Sequence, residues 1–224
     1  MSARDAILGR LRSTSITTKP TLPDVAGWYA PRQRNEDQTQ RLARLRAALE
    51  AAHTEVHDTT DTDWPALLVR LAAAKGVRKL LIGANTAHGA ALESSQTQNL
   101  QVVQYTQPIE EWRDALFDDI DASLTLARSA IAETGSLVLW PSASEPRTMS
   151  LVPPVHFVLL DVATIHADLH STLCTEGWAD GLPTNALLIS GPSKTADIQQ
   201  TLAYGAHGPR ELVVLLRHPQ GAAP

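Results

Sequence analysis

Apolar positions recur along this chain with two periods, and the periods alternate. Leu42, Leu45 and Leu49 fall on one stripe of a helix predicted over residues 36–52, capped by Asn35. Val56 begins a short strand. Asp63 caps a helix through Ala74, with Pro65 tolerated in its first turn and Gly76 ending it. Short apolar runs then predict strands at 79–82, 100–105, 122–127, 136–140 and 156–161. Helices are predicted from Pro108 to Phe117 and from Thr164 to Leu173. The close spacing around Thr134-Gly135 predicts an antiparallel hairpin or corner.

The stretch from Asn185 to Arg217 carries the most local information. Residues 186–190 predict a strand buried on both faces, stopped by Gly191-Pro192. Thr195 reads as an N-cap, and Asp197 suits the positive end of the helix that follows. Ile198 and Leu202 are four apart, and Gly205 is placed to close the helix in a left-handed conformation. Gly208-Pro209 turns the chain into a last strand, 211–216. Alternation of this kind predicts an α/β fold with a mostly parallel sheet covered by helices. The expected organisation is an N-terminal helical extension and arm, 1–55, and an α/β domain, 56–224. Within the extension, residues 3–11 predict a short helix. Residues 13–34 read as an extended arm in which Trp28 and Tyr29 argue for docking.

Composition narrows the function. Apolar residues make up 43% of the 224, which supplies a core, and no run approaches the roughly 18 apolar residues of a membrane helix. The N-terminus lacks an apolar signal region, so a cytoplasmic home is expected. One cysteine, Cys174, excludes an internal disulfide and a cysteine-ligated cluster built by this chain alone. A net charge of −5 argues against nucleic acid as a partner. His166 and His170 are four apart on the predicted helix, but Ala167 stands where H-E-x-x-H needs glutamate, so no metal is expected.

The run GPSKTADI, 191–198, followed by GAHGP, 205–209, resembles a signature of the LUD-domain family, lactate-utilisation protein C type. The segment IAETGSLVLWPSASEPRTMSLVPPVHFVLL, 131–160, resembles that family's second signature. The resemblance spans roughly residues 60–217, with Lys194 where Arg is expected and Ser136 where Thr is expected. It implies a three-layer fold like that of ribose-5-phosphate isomerases and CoA transferases. It also implies an accessory subunit of bacterial L-lactate oxidation. Such a subunit works beside iron–sulfur proteins that convert lactate to pyruvate, so the clusters belong to the partners and none to this chain.

Ligands of open α/β sheets bind outside the carboxyl ends of strands. Three loops are candidates there: 83–89 with His88, 133–136, and 191–195. The expected ligand is a small carboxylate or phosphate. Main-chain N–H groups of Gly191, Ser193 and Thr195 at the helix start would hold it, helped by Lys194, with Asp197 also expected at the ligand. Thr134, Gly135, Ser136 and Gly208 would line the same crevice, with Arg147 supplying charge. His207, between glycine-rich turns, is a candidate proton relay, and Glu133 a candidate carboxylate nucleophile. A Walker loop is excluded, because Ser193 precedes the lysine where glycine is required. Two alternatives stand beside the accessory subunit. One is a free-standing CoA-transferase-like or sugar-phosphate enzyme using Glu133; the other is a non-catalytic interaction protein.

Overall fold

The computed structural model describes residues 2–13, 21–95, 97, 99–196, 202–205 and 207–219, and the chain divides into two units, 1–33 and 34–224. The first unit holds α1 (Ala3–Ser13) and α2 (Val25–Tyr29). Neither helix buries a residue. Part of the expected extended arm is therefore helical. Asp24 accepts the Gly27 amide at 2.8 Å to start α2, and the Arg32 guanidinium stacks 3.9 Å from the Trp28 ring centroid.

The second unit opens with α3 (Gln38–Ala51), ahead of the expected boundary at residue 56. Its cap is Asp37, not Asn35: the Asp37 carboxylate accepts the Gln40 amide, and the Gln40 side chain returns to the Asp37 amide. Then follow β1 (Glu55–Thr60), α4 (Trp64–Ala74), β2 (Lys79–Gly83), α5 (Ala87–Glu93), β3 (Gln101–Tyr105), α6 (Ile109–Asp118) and β4 (Ala122–Leu126). A second group of strands, β5 (Ser129–Ile131) and β6 (Ser136–Leu139), precedes α7 (Thr148–Leu151) and β7 (Val155–Asp161). The chain continues with β8 (Ile165–His166), α8 (Leu169–Thr175), β9 (Leu187–Ile189), β10 (Lys194–Ala196), β11 (Leu202–Tyr204) and β12 (Glu211–His218).

Six strands form one parallel sheet in the order β1-β12-β7-β4-β2-β3. Its central strands are mostly apolar on both faces, as a sheet covered on both sides requires, with Ser123, Thr125 and His156 as buried polar exceptions. In β7, Phe157 and Leu159 face the α4 side, packing with Trp64, Leu68 and Ala72. Val158 and Leu160 face the other side, packing with Leu45 and Leu49 of α3 and with Leu137 and Leu139 of β6. That second layer is part helix and part sheet, because β8-β5-β6-β9 form a four-stranded mixed sheet beside α3. The β5–β6 pair is the antiparallel hairpin expected at Thr134-Gly135. Among the described residues no helix is long and apolar enough to cross a membrane.

Three expectations are corrected. The helix predicted from Thr195 does not form at the residues described: β10 and β11 pair antiparallel, Lys194 opposite Tyr204 and Ala196 opposite Leu202. A four-residue apolar spacing over a short run does not distinguish helix from strand. The intervening residues, Asp197 among them, lie outside the described set. Residues 187–189 form a half-exposed edge strand of the smaller sheet, rather than a strand buried on both faces. The predicted helix at 164–173 begins at Leu169, where Asp168 and Ser171 make a reciprocal cap, and this leaves His166 on β8.

Candidate functional site

Two turns press against the end of α3. Gly135 has φ +64, and a Cβ there would stand 2.7 Å from the Ala48 Cβ. Gly191 has φ +151, and its Cβ would meet Ala52 at 3.0 Å. Only glycine satisfies both backbone and space at these points. The close approach brings two of the predicted loops together. Ser136 Oγ lies 2.7 Å from Thr134 Oγ1 and 2.7 Å from Ser190 Oγ, so a chain of hydroxyls runs from exposed Thr134 through buried Ser136 to Ser190.

Ser190 lines a cavity of about 200 Å³. Gly191, Pro192 and Ser193 line it from the first signature, and His207, Gly208 and Pro209 from the turn before β12. Gly208 packs close to Ser193: a Cβ on it would stand 3.3 Å from the Ser193 Cβ. Ser150 and Leu151 of α7 contribute, as do His156 and Leu212, which face each other in register as the second residues of β7 and β12. The cavity therefore lies at the amino ends of the central strands, not at the carboxyl ends.

His156 is the chemical centre of this cavity. It is completely buried within an otherwise apolar strand. Its Nε2 lies 2.8 Å from Thr125 Oγ1, and Nδ1 has no hydrogen-bond partner among the described residues. Burial disfavours the charged ring and pushes its pKa down to about 3, so the imidazole is neutral at physiological pH. A neutral imidazole presents one donor and one acceptor, and a buried nitrogen left unpaired is costly unless a ligand meets it. His156, Ser150 and Ser190 were not among the residues expected at the site. The available signal was one polar residue, His156, at the head of a run of core residues.

The helix start on which the expected main-chain cradle at 191–195 relied does not form at the described residues. The Ser193 amide donates to the Pro209 carbonyl at 2.7 Å, the Gly205 amide closes on the Ser193 carbonyl at 2.9 Å, and Lys194–Ala196 run in the ribbon with β11. Lys194 is exposed and lines a separate open cleft of about 420 Å³ with Ala52 and His53, on which Ser190 and Gly191 also border. Thr195 contributes backbone to β10. Arg147 is exposed and lines a small space of about 10 Å³ with Thr125, Trp140, Glu145 and Ser150. Glu133 is exposed, its amide donates to the Ala167 carbonyl, and it lines none of these cavities. The 83–89 loop joins a different neighbour: His88 Nε2 lies 2.7 Å from Glu145 Oε1, and the Ala84 amide donates to the Ser144 carbonyl. Two of the three predicted loops thus converge and the third does not.

Larger clefts exist, and several of their charged groups are paired within the fold. In one, Asp58 is paired with Arg46 and His218; in another, Asp121 accepts the amides of Arg78 and Lys79. Among the described residues no cluster of three or more His, Cys, Asp or Glu side chains could hold a metal ion.

Comparison with known proteins sets these features in a family. An uncharacterised protein of Neisseria meningitidis serogroup B is 40% identical over all of this chain and 97% of its own length. A lactate utilization protein C of Exiguobacterium is 34% identical over 44% of each chain, and one of Bacillus subtilis is 28% identical over 103 residues. Among solved structures, a DUF162 family protein of Deinococcus radiodurans superposes with a TM-score of 0.61. It covers 81% of this chain and 99% of its own, at 19% identity, a likeness of fold alone. The LUD domain profile matches residues 42–216, a span that contains every residue of the cavity, and the chain belongs to the LUD-domain family.

Proposed function

We propose that this chain serves lactate utilisation as a cytoplasmic accessory subunit, working with iron–sulfur partner proteins, and that its cavity holds a small carboxylate such as lactate or pyruvate. The observation that carries the reading is the buried, neutral His156 with a spare ring nitrogen, on a cavity whose other polar side chains are Ser150, Ser190, Ser193 and His207, set among Leu151, Leu188, Ile189 and Leu212. Hydroxyls and an imidazole suit an oxygen-rich ligand. The volume falls below the roughly 300–1,000 Å³ of pockets for drug-sized ligands, which suits a metabolite of a few heavy atoms. The names of the lactate utilization relatives support the physiological setting.

In this reading Ser193 and His207 contact the ligand, Gly191 and Gly208 set the wall, and Thr134 and Ser136 act through Ser190. Lys194 and Arg147 supply charge outside the cavity. The CoA-transferase alternative loses its geometric support, because Glu133 lies away from these cavities. The test combines growth and binding. A deletion strain with no second copy is expected to grow poorly on lactate, and a Ser193→Ala, His207→Ala double variant is expected not to restore growth. Calorimetry on the purified chain is expected to give heat with lactate or pyruvate and none with CoA. Normal growth of the deletion strain together with silence toward both acids would discard the reading.

A further inference from the structure

A carboxylate entering this cavity meets no fixed positive charge. Among the described residues the lining contains no Lys or Arg. Arg147 lines the neighbouring small space, which has only Ser150 in common with this cavity, and Lys194 lines the outer cleft. Taking a bare anion out of water without a paired charge costs several kcal/mol or more. The groups that face His156 are few. Thr125 approaches from β4, Ser123 and Leu212 stand beside it in register on β4 and β12, and Ser150 shares the cavity from α7. From the loops come Ser190, Ser193 and His207, of which His207 alone titrates. No carboxylate of this set competes for a proton. One basic lone pair among the lining residues has no partner, that of His156 Nδ1 when Nε2–H donates to Thr125 Oγ1; it is itself buried, so a ligand in the cavity meets it only after a shift of the surrounding side chains.

We propose that the cavity takes up its small carboxylate together with one proton, which settles on His156 Nδ1 to give an imidazolium–carboxylate pair. The inference rests on the carboxylate reading of the cavity. A single bond is made, between Nδ1 and a proton drawn from solvent, and the ligand keeps its charge. In the empty cavity burial keeps the ring neutral. With the anion in place, an opposite charge at contact distance favours the charged ring and so opposes the effect of burial. The device would favour acids over their uncharged amides, and it would couple occupancy to pH without any residue of permanent charge.

The test is calorimetry of the full chain with L-lactate and pyruvate at pH 7.5, in two buffers of different ionisation heat. The expected result is one proton taken up per ligand bound, and an affinity that weakens about tenfold for each pH unit above neutrality. His156→Gln is expected to bind more weakly with no proton uptake. Nitrogen NMR of labelled histidine in the wild-type chain is an independent readout should His156→Gln misfold. Saturating ligand is expected to move one ring from neutral to imidazolium shifts. Binding without proton uptake and with a flat pH profile would overturn this inference and leave the carboxylate site standing. Uptake that survives in folded His156→Gln would also overturn it. Silence toward both acids would remove the site itself.

Discussion

Replacing His156 with glutamine removes the one fully buried imidazole whose protonation the fold resists. In the folded chain the ring's pKa is pushed from 6.5 to about 3 by burial. The unfolded chain therefore binds a proton below pH 6.5 that the folded chain refuses until pH 3. Stability from this residue is fully present above pH 6.5 and is lost progressively as the pH falls toward 3. At about 1.4 kcal/mol per pH unit, the loss is roughly 3 kcal/mol at pH 4.5 and about 4 kcal/mol by pH 3. The assay is urea denaturation of wild type and His156→Gln at pH 7.5 and pH 4.5. Titration of the other groups is common to both proteins and cancels in the difference. Wild type is expected to lose about 2–3 kcal/mol more than the variant on acidification. Parallel losses would refute the claim that this ring is buried and uncharged.

Other perturbations probe the scaffold. Gly135→Ala forces a side chain into a left-handed backbone at 2.7 Å from Ala48, and is expected to cost about 1–3 kcal/mol in the urea midpoint. Leu49→Ala, at a completely buried position between α3 and the sheet, is expected to cost about 2–5 kcal/mol by the same measurement. Ser136→Ala leaves the hydroxyls of Thr134 and Ser190 without their shared partner. It is expected to lower the thermal midpoint by a few degrees, about 1 kcal/mol, with Ser136→Thr recovering part of the loss.

Much of the parallel sheet was legible in the chain. Runs such as Leu80–Ile82 and Phe157–Leu160 are apolar at every position, which only a strand covered on both faces tolerates, and intervening helical stripes imply crossovers. The turn glycines and the α3 stripe were also local signals. The signature residues Gly191, Ser193, His207 and Gly208 were expected around one crevice, and they line one cavity. Less was visible where local preference was weak. Residues 194–196 and 202–204 carry a helix-compatible spacing, yet they pair as a ribbon whose base is held by the Ser193–Pro209 and Gly205–Ser193 hydrogen bonds.

By itself, then, the sequence determined the α/β class, the parallel strands and the loops that matter, because each follows from periodicity and turn chemistry within a few residues of chain. Only the tertiary structure decided which loops meet and at which end of the sheet. Ser136 and Ser190 are 54 residues apart and touch because Gly135 and Gly191 both lack the Cβ that would hold them off α3. His156 and Leu212 face each other through strand register, and the state of the ring depends on how much water that packing excludes. Burial is a property of the whole fold, and no local pattern encodes it.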